Sequence, residues 1–341
     1  MSEESGKKMT VNMVSESEFT VQGHGVHTAY VEMRDSLQKR VADVQIATNA
    51  KGKFDVVHIH TPGLYAVSKL LFSGKKRVVS AHLVPDSLVG SFKAAKLWRP
   101  FAKFWLTFLY NRADLVLAVS GYTKTELEQM GVTRRIEVLY NTIDTARYQT
   151  SAQEKARIRQ KLQISPDACV VVGVGQVQPR KRVDIFLDMA KKMPEGQFIW
   201  VGGVPFGVAA ADNYAMQRMI KHPPRNMRFT GVIPFAEVAD YYKAADIFAL
   251  PSEQETFGFV TVEAAAAGLP VVLRDIHDYD DTFRDGAVMA KDDDDFWRCV
   301  KQLSSDPALI RAAQNRSAKI AARFDSKAGA QRLLDLYKSL F

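Results

Sequence analysis

The chain alternates short apolar runs with longer segments of helical periodicity, and this alternation constrains its fold more than any other feature. Two of the runs, Asp114–Val119 and Ala168–Gly173, are almost entirely apolar, as expected of parallel strands that are covered on both faces. Such a pattern predicts an α/β fold built from βαβ units. With 341 residues, the chain is long enough for two domains of this kind.

Twelve apolar runs are predicted as strands, six in each half of the chain. Those of the first half are Met9–Val14, Ala42–Ile46, Val56–Ile59, Arg77–Ala81, Leu115–Val119 and Ile136–Leu139. Those of the second half are Cys169–Val174, Gln197–Val201, Arg228–Thr230, Ile247–Leu250, Val271–Leu273 and Ala287–Met289. Between the halves, Asn141–Pro166 contains no strand pattern and is interpreted as a linker followed by a helix, so the domain boundary is placed near residue 150.

The composition excludes several classes of protein. A chain that is 47% hydrophobic and 25% charged is not mostly disordered. Two cysteines, Cys169 and Cys299, cannot form a disulfide framework or a cysteine zinc site and are predicted to be reduced, buried and inert. No apolar stretch reaches the ~18 residues of a membrane span, and Met1–Lys8 lacks an apolar signal core. We therefore expect a cytoplasmic protein that can associate with membranes.

The charge balance indicates an anionic partner. The chain carries 46 basic and 38 acidic side chains, a net charge of +8. Residues 1–150 hold 20 of the basic and 14 of the acidic residues, so most of the excess lies there. A basic surface suits nucleic acid, a phosphorylated substrate or an anionic membrane, and charge alone does not choose among them.

The segment Pro251–Val272 has the most specific pattern in the chain and follows the predicted strand Ile247–Leu250. Glu255 and Glu263 stand eight residues apart, with Gly258 between them and an alanine-rich helix after it. Glycine gives the turn its backbone freedom, and free N–H groups at the start of a helix suit an anion such as phosphate. One carboxylate could bind a sugar ring, while the other could bind a ribose further along a nucleotide.

This segment resembles the C-terminal signature of family 4 retaining glycosyltransferases, which have the GT-B fold. The resemblance rests on the glutamate spacing, the Phe257-Gly258 step and the Gly268–Val272 turn and strand, and it covers nearly the whole chain. It implies two Rossmann-like domains whose parallel sheets face each other across a central cleft. The implied parts are an acceptor- and membrane-facing domain in residues 1–150, a nucleotide-sugar-binding domain in residues 151–325, and a helix in residues 326–341 that crosses back to the first domain.

The resemblance also implies roles for the residues of this signature. Glu255 would have a catalytic role and orient the transferred sugar, while Glu263 would bind ribose hydroxyls. Where Thr256 stands, the family usually has glycine. The donor-binding residues implied by this segment are Glu255, Thr256, Phe257, Gly258, Phe259, Val260 and Glu263.

A second motif, Val174–Phe186, also follows a predicted strand and opens a helix. Arg180, Lys181 and Arg182 would lie near the helix N-terminus, where basic charge is unfavourable unless an anion offsets it. The resemblance implies that Lys181 holds the donor diphosphate during catalysis. The family usually has arginine where Gln176 stands and glycine where Arg182 stands, and Arg180 is the residue that could replace the missing arginine as a donor ligand.

Two further loops match donor-binding loops of the family. The glycine loop between the first strand and the first helix closes, in the family, over the donor phosphate and the acceptor. Its matching residues here are Gly23, His24 and Gly25, of which the glycines would face the donor and the histidine the acceptor. A loop of the second half resembles the segment that reads the base through backbone groups, and its residues here are Val232 and Ile233.

Histidines end two neighbouring predicted strands. His60 ends one of them and His82 ends the next. The family has a histidine close to the transferred sugar at the place matched by His82, which implies a catalytic role for His82 and a supporting role on the acceptor side for His60. His58 is predicted to point to the opposite face of its strand and to serve packing.

The segment Ser87–Asn111 interleaves basic and aromatic side chains and contains no acid. Basic residues beside Trp and Phe suit an anionic membrane surface, where each cation is worth about 1 kcal/mol. Pro100 is predicted to break the segment into two helices. The predicted membrane- or acceptor-facing residues are Lys93, Lys96, Trp98, Arg99, Lys103 and Trp105. A buried helix with solvated lysines is the alternative, whereas no fold signature of nucleic-acid binding accompanies the segment.

At a finer level, Val78–Lys93 and Arg274–Tyr279 resemble bacterial glycosyltransferases that extend glucosyl-diacylglycerol glycolipids. The resemblance implies a hexosyltransferase that moves glucose or galactose from a UDP-sugar to such a glycolipid at the inner face of the cell membrane, with an α-glycosidic product. No cofactor or divalent metal is expected, and Asp278 and Asp280 are predicted to lie at the surface. Two alternatives stay open: an enzyme of the same fold with a soluble or polysaccharide acceptor, and a catalytically silent nucleotide-sugar-binding subunit.

Overall fold

A computed structural model describes residues 8–19, 25–72, 75–85, 95–204 and 213–341, without the side chains of residues 95–98 and 213–215. The strands of these residues form two parallel sheets of six strands each. Every predicted strand is present, with ends that differ by at most two residues. The α/β fold class is therefore confirmed.

The first sheet has the strand order β2-β1-β3-β4-β5-β6. Its strands are β1 (Met9–Val14), β2 (Val44–Thr48), β3 (Val56–Ile59), β4 (Lys76–Ala81), β5 (Leu115–Ala118) and β6 (Ile136–Val138). The second sheet has the order β12-β11-β10-β7-β8-β9. Its strands are β7 (Val170–Val174), β8 (Gln197–Val201), β9 (Met227–Phe229), β10 (Ile247–Leu250), β11 (Val271–Arg274) and β12 (Val288–Ala290).

Helices connect the strands, as parallel pairing requires. In the first half they are α1 (Gly25–Arg40), α2 (Leu64–Phe72), α3 (Ala95–Tyr110) and α4 (Gly121–Met130). In the second half they are α5 (Ala152–Lys161), α6 (Val183–Lys192), α7 (Asn213–Lys221), α8 (Phe235–Ala244), α9 (Phe259–Ala266), α10 (Asp293–Ser305), α11 (Pro307–Arg323) and α12 (Ser326–Lys338). Asp292 caps α10, since its carboxylate accepts a 2.7 Å hydrogen bond from the Asp295 N–H.

Two compact units make up the chain. Unit 1 contains the described residues of 1–86, 98–144 and 324–341, and unit 2 contains those of 87–97 and 145–323. In unit 1, α2, α3 and α4 cover one face of the sheet, while α1 and α12 cover the other. In unit 2, the strand β7 is apolar, and all five of its residues are buried. The helices α8, α9, α10 and α11 pack against the strands of this second sheet, so each sheet is covered by helices of its own unit.

The helix α3 passes through Pro100 without ending, so the predicted break at this proline is wrong. Proline removes one backbone donor and crowds the preceding turn. The helix nevertheless continues because Leu106, Leu109 and Tyr110, further along it, are buried in the core of unit 1. Packing of the apolar side of the helix outweighs the local cost of the proline.

The cysteines are free thiols, and both are half-buried. Burial raises the pKa of Cys169 to about 11 and also raises the pKa of Cys299. Both side chains therefore stay protonated and unreactive at neutral pH.

Gly202 follows β8 at a close approach between two loops of unit 2. Its φ is +135°, and a Cβ there would lie 2.1 Å from the carbonyl oxygen of Gly175. Gly202→Ala is therefore expected to lower the free energy of unfolding by more than about 3 kcal/mol, because backbone strain and a backbone clash add together. Urea denaturation would measure the loss.

Gly268→Ala is the matched control for this prediction. Gly268 also has a positive φ, +77°, but a Cβ there would meet no atom within 4 Å. It should cost only about 1–2 kcal/mol, the strain of the left-handed conformation alone. Equal losses in the two variants would contradict the clash at Gly202.

Candidate functional site

The candidate donor site lies where the strand order of the second sheet reverses. β7 and β10 are neighbours there, although two strands intervene between them in the sequence. In open α/β sheets, ligands bind outside the carboxyl ends of the strands at such a point. The loops that follow these two strands carry Lys181 and Glu255, respectively.

Lys181 and Glu255 form a buried ion pair. The Lys181 ammonium donates a short hydrogen bond to Glu255 Oε1, and each residue is only 6% exposed. Arg180 adds a second cation, with its Nη1 3.6 Å from Glu255 Oε2. One carboxylate thus faces two positive charges at the carboxyl edge of the sheet.

Burial and charge oppose each other in this pair. Burial lowers the pKa of Lys181, since it disfavours the ammonium form. Burial would raise the pKa of Glu255, but Lys181 and Arg180 outweigh it and hold this pKa below its usual value. Glu255 is therefore an ionised carboxylate at neutral pH. A buried charge that loses its partner is costly. A ligand that separates Lys181 from Glu255 must therefore supply each of them with a new partner.

Arg180 is held by a row of amide side chains. Its Nε donates a 3.1 Å hydrogen bond to Gln178 Oε1, and Gln178 Nε2 donates a 2.9 Å bond to Gln176 Oε1. Arg180 Nη1 also donates to the carbonyl oxygen of Gln254 at 3.0 Å. Gln176, which stands where the family usually has arginine, thus contributes to the position of Arg180 beside Glu255.

Arg182 is directed away from this pair. It adopts φ +47°, the left-handed conformation that glycine favours, at the position where the family usually has glycine. Its guanidinium donates to Asp184, to Glu253 in a short contact, and to Asp293 at 2.9 Å. The hydrogen bond to Asp184 and the other two acids raise its pKa. The protein's own carboxylates therefore supply the anions that a basic helix start requires.

Asp278 contributes to the candidate donor site, and the sequence pattern did not indicate this. Its Oδ2 accepts a 2.7 Å hydrogen bond from the backbone N–H of Glu255, and burial raises its pKa. The prediction that Asp278 lies at the surface is wrong, because it is half-buried under the Glu255 loop, whereas Asp280 is exposed. No spacing pattern could have indicated a contact between residues 23 positions apart.

The signature loop packs on aromatic side chains. Phe257 is 5% exposed, and its ring lies 5.3 Å from that of Phe259 and 5.8 Å from that of Phe283. Gly258 has φ +90° and immediately precedes α9, as the turn in the sequence required. The other predicted donor residues of the loop are half-buried beside it, namely Thr256, Phe259 and Val260.

Glu263 lies within α9 and is 3% exposed. Its Oε2 accepts a 2.7 Å hydrogen bond from the hydroxyl of Tyr242 on α8. Burial and the neighbouring Glu263 raise the pKa of Tyr242 well above its usual value, so the phenol stays a hydrogen-bond donor. Tyr242 is a second residue that the sequence pattern did not indicate.

The predicted base loop reaches the same edge of the sheet. Val232 is 84% exposed and Ile233 is half-buried. The Val232 backbone N lies 3.2 Å from where a Cβ on Gly203 would be. The N–H of Val177, in the loop after β7, donates 2.9 Å to the Gly203 carbonyl. The loops after β7, β8 and β9 are therefore contiguous, and the base loop lies on the same edge of unit 2 as Lys181.

In unit 1, His60 and His82 meet at the carboxyl ends of β3 and β4. Their rings are stacked, and His60 Nδ1 lies 3.3 Å from His82 Nε2. His60 and His82 are 2% and 7% exposed. Burial, together with the neighbouring His58 and His82, lowers the pKa of His60 well below its usual value, so His60 is neutral at physiological pH.

His58 belongs to the same cluster. Its ring lies 4.3 Å from that of His60, so the prediction that it points to the opposite face is wrong, because residues two apart on a strand share a face. Its Nδ1 lies 2.6 Å from the hydroxyl of Tyr337 on α12, and its Nε2 lies 2.8 Å from Ser80 Oγ. Burial lowers its pKa to about 3, which fits its predicted packing role.

Part of the predicted acceptor surface lies outside the residues that the structure describes. Gly23, His24 and Lys93 lie outside the described residues, as do the side chains of Lys96 and Trp98. Gly25 begins α1 and is exposed. On α3, Arg99 and Lys103 are exposed, whereas Trp105 is half-buried and its Nε1 donates a 2.7 Å hydrogen bond to the Pro62 carbonyl. Trp105 therefore attaches α3 to unit 1.

The described part of the chain contains neither a metal-binding cluster nor a membrane-spanning helix. No group of three or more His, Cys, Asp or Glu side chains there could hold a metal ion. No helix among these residues is long and apolar enough to cross a membrane.

Two Rossmann-like units with six-stranded parallel sheets, the second bearing a buried cation–carboxylate site at its switch point, define an α/β protein of the GT-B fold class. Family models agree with this class. Residues 13–147 match "Glycosyltransferase Family 4", and residues 168–306 match "Glycosyl transferases group 1". The chain belongs to this family of glycosyltransferases.

Two relatives are similar over most of the chain. The alpha-galactosylglucosyldiacylglycerol synthase of Streptococcus pneumoniae is 30% identical over 97% of this chain and 90% of that protein. The processive diacylglycerol alpha-glucosyltransferase of Acholeplasma laidlawii is 30% identical over 80% of this chain and 81% of that protein. Among solved structures, Anabaena HepE in complex with UDP and glucose has a TM-score of 0.77 at 19% identity, covering 97% of this chain and 100% of HepE.

Proposed function

We propose that the protein is a retaining glycosyltransferase that moves glucose or galactose from a UDP-sugar to a hydroxyl of a membrane glycolipid such as glucosyl-diacylglycerol. The observation that carries the proposal is the buried Lys181–Glu255 pair with Arg180 beside it at the sheet's switch point. Two relatives named for diacylglycerol glycolipid synthesis support the acceptor class. HepE, solved with UDP and glucose, supports the donor class.

Charge development on the leaving group determines what the site must do. Departure of the sugar leaves UDP with additional negative charge on its diphosphate. Lys181 and Arg180 are the cations at the site, and their interaction with the diphosphate is strongest when this charge has formed, which is the condition for catalysis. Lys181 would turn from Glu255 to the phosphate, while Glu255 would accept hydrogen bonds from sugar hydroxyls.

The proposed chemistry proceeds on one face of the sugar. The acceptor oxygen forms its bond to the anomeric carbon on the face from which the UDP oxygen departs, so the α configuration is retained. The acceptor proton passes to the departing phosphate oxygen, and no covalent bond to Glu255 forms. His82, supported by His60, would lie beside the transferred sugar, and Glu263 would bind the ribose. Because cations of the chain offset the diphosphate charge, the reaction should not need a divalent metal.

A donor-by-acceptor activity screen tests this proposal. UDP-glucose, UDP-galactose and GDP-mannose would each be offered with glucosyl-diacylglycerol, diacylglycerol, phosphatidylinositol and soluble sugars, in the presence of EDTA. We expect a dihexosyl lipid by mass spectrometry and an α linkage by NMR. Transfer only to soluble sugars would establish the alternative acceptor class. If the protein bound the donor but neither transferred the sugar nor hydrolysed the donor, it would be a silent nucleotide-sugar-binding subunit.

Peripheral association with the inner membrane surface is part of the proposal. The exposed side chains of α3 include two cations and two aromatic rings, namely Arg99, Phe101, Lys103 and Phe104. Such a combination suits the headgroup region of an anionic bilayer. Trp105, by contrast, is directed toward the Pro62 carbonyl of unit 1.

Arg99→Gln/Lys103→Gln should weaken binding to anionic vesicles about 10- to 30-fold, since each cation contributes about 1 kcal/mol near such a surface. Sedimentation with phosphatidylglycerol-containing vesicles would measure the change. Lys191→Gln/Lys301→Gln removes two cations of unit 2 and should leave binding intact. Unchanged binding of the α3 variant would exclude these cations as membrane contacts.

A further inference from the structure

Large apolar side chains are exposed mainly on one side of unit 1. Of the ten large hydrophobic residues that are exposed in the described part of the chain, six lie in the loop after β1, on α2 or on α3. Single exposed apolar residues are ordinary, but a group of them marks an interaction surface. The six are Phe19, Leu64, Leu71, Phe72, Phe101 and Phe104.

These residues lie on neighbouring elements. Trp105 of α3 donates to the Pro62 carbonyl, two residues before α2 begins. The Phe19 ring lies 5.6 Å from that of Tyr65, in the first turn of α2. The inner sides of α2 and α3 share one buried core. Their outer sides, together with Phe19, therefore form one surface, which we name the α2–α3 surface.

The outer side of α2 is unusually apolar for a helix that faces solvent. Leu64 and Leu71 are 77% and 41% exposed, and their spacing of seven residues puts them on one side of the helix. Phe72, at the helix end, is 85% exposed. The inner side of the helix is already occupied, since Ala66, Val67 and Leu70 are buried. The exposed leucines and Phe72 are thus not needed for the core.

The charges around the exposed apolar residues indicate which kind of partner this surface binds. Lys53 and Lys75 are exposed near the Phe72 end of α2, where the Lys75 N–H donates to the Phe54 carbonyl. Arg99 and Lys103 are exposed on α3. Apolar residues flanked by cations match an anionic lipid surface, in which rings and leucines enter the acyl boundary while cations meet headgroups.

The α2–α3 surface also begins beside the histidine cluster. Leu64 follows His60 by only four residues, and Phe19 follows β1, the neighbour of β3 in the sheet. The carboxyl edge of the first sheet thus carries the buried histidines and the start of the apolar surface together. A lipid with its sugar at His82 could leave its acyl chains on that surface.

We propose that α2 is a second membrane-contacting helix, and that Phe19, Leu64, Leu71 and Phe72 enter an anionic bilayer together with the exposed side of α3. This inference rests on the proposed glycolipid acceptor and extends the membrane contact beyond α3. It places the entrance for the acceptor lipid at the Leu64 end of α2. Leu71 and Phe72 hold the opposite end of the helix in the same lipid layer.

Leu64→Ser/Leu71→Ser/Phe72→Ser tests the inference. Because these side chains are exposed, folding should be unaffected, whereas binding to phosphatidylglycerol–phosphatidylcholine vesicles should fall at least tenfold in sedimentation. The matched control, Leu309→Ser/Phe341→Ser, removes exposed apolar residues elsewhere and should bind as the unmodified chain does. If the α2 variant also binds normally, α2 is not in the membrane and the inference fails.

A second measurement reports insertion directly. An environment-sensitive fluorophore on Phe72→Cys should shift to shorter wavelength when vesicles are added, whereas the same label on Leu309→Cys should not. An unshifted Phe72→Cys label would also overturn the inference. Neither readout requires turnover, so a chain that binds through α2 but transfers no sugar to glycolipid would contradict the proposed function and leave this surface standing.

Discussion

Lys181→Met is expected to lower kcat/KM for hexosyl transfer by 100-fold or more. The substitution removes the ammonium that would offset charge on the departing diphosphate, and charge-assisted contacts of this kind supply a few kcal/mol in the transition state. Methionine keeps most of the volume of the side chain, so packing changes little. Steady-state kinetics with the donor found in the activity screen would measure the loss.

The buried position of Lys181 requires a control for folding. Without the ammonium, Arg180 is the one cation that still pairs with Glu255 among the described residues, and breaking a buried pair can cost about 3–5 kcal/mol. Lys181→Met/Glu255→Gln removes both charges and should recover stability without recovering activity. Arg182→Lys, at a neighbouring cation turned toward Asp184, should retain activity. A folded Lys181→Met enzyme with normal kcat/KM would refute the role of Lys181.

Glu263→Ala is expected to raise KM for the donor about 10- to 100-fold, with a much smaller change in kcat. A hydrogen bond to a charged group contributes about 1.5–3 kcal/mol, and a ribose contact is made equally in the ground state and the transition state, so its loss affects binding. Varying the UDP-sugar concentration at saturating acceptor separates the two constants.

Tyr242→Phe is the matched control for Glu263. It removes the hydroxyl that holds Glu263 Oε2 but keeps the carboxylate, so the donor KM should rise only a few-fold. If Glu263→Ala lowered kcat and left KM unchanged, the carboxylate would act on the reacting sugar rather than on the ribose.

Local patterns predicted the strands well because burial on both faces leaves a continuous apolar run in the sequence. Val170–Val174 is such a run, and all of its residues are buried. The spacing of Glu255 and Glu263 is likewise local, since a loop and about one helical turn separate them. Lys181 could be predicted as a candidate because the strand-to-helix pattern around it lies within one short segment of the sequence.

Contacts between distant parts of the chain could not be predicted in this way. Asp278 reaches the N–H of Glu255, and Tyr242 reaches Glu263, only after several elements have packed together. The error at His58 has a different origin, because alternation itself places residues two apart on the same face. The error at Pro100 arose because tertiary packing outweighs the local preference of a proline.

Unit 1 is discontinuous in the chain, and this has a consequence for its biosynthesis. Tyr337 of α12 hydrogen-bonds His58 in the histidine cluster, and α12 covers one face of the first sheet. During translation, residues 145–323 must emerge before α12 does, which takes roughly 10–40 s at about 5–20 residues per second. For that time the nascent chain therefore has this sheet face covered by α1 but not by α12, while unit 2 can already fold. Unit 1, although most of it is translated first, is completed last.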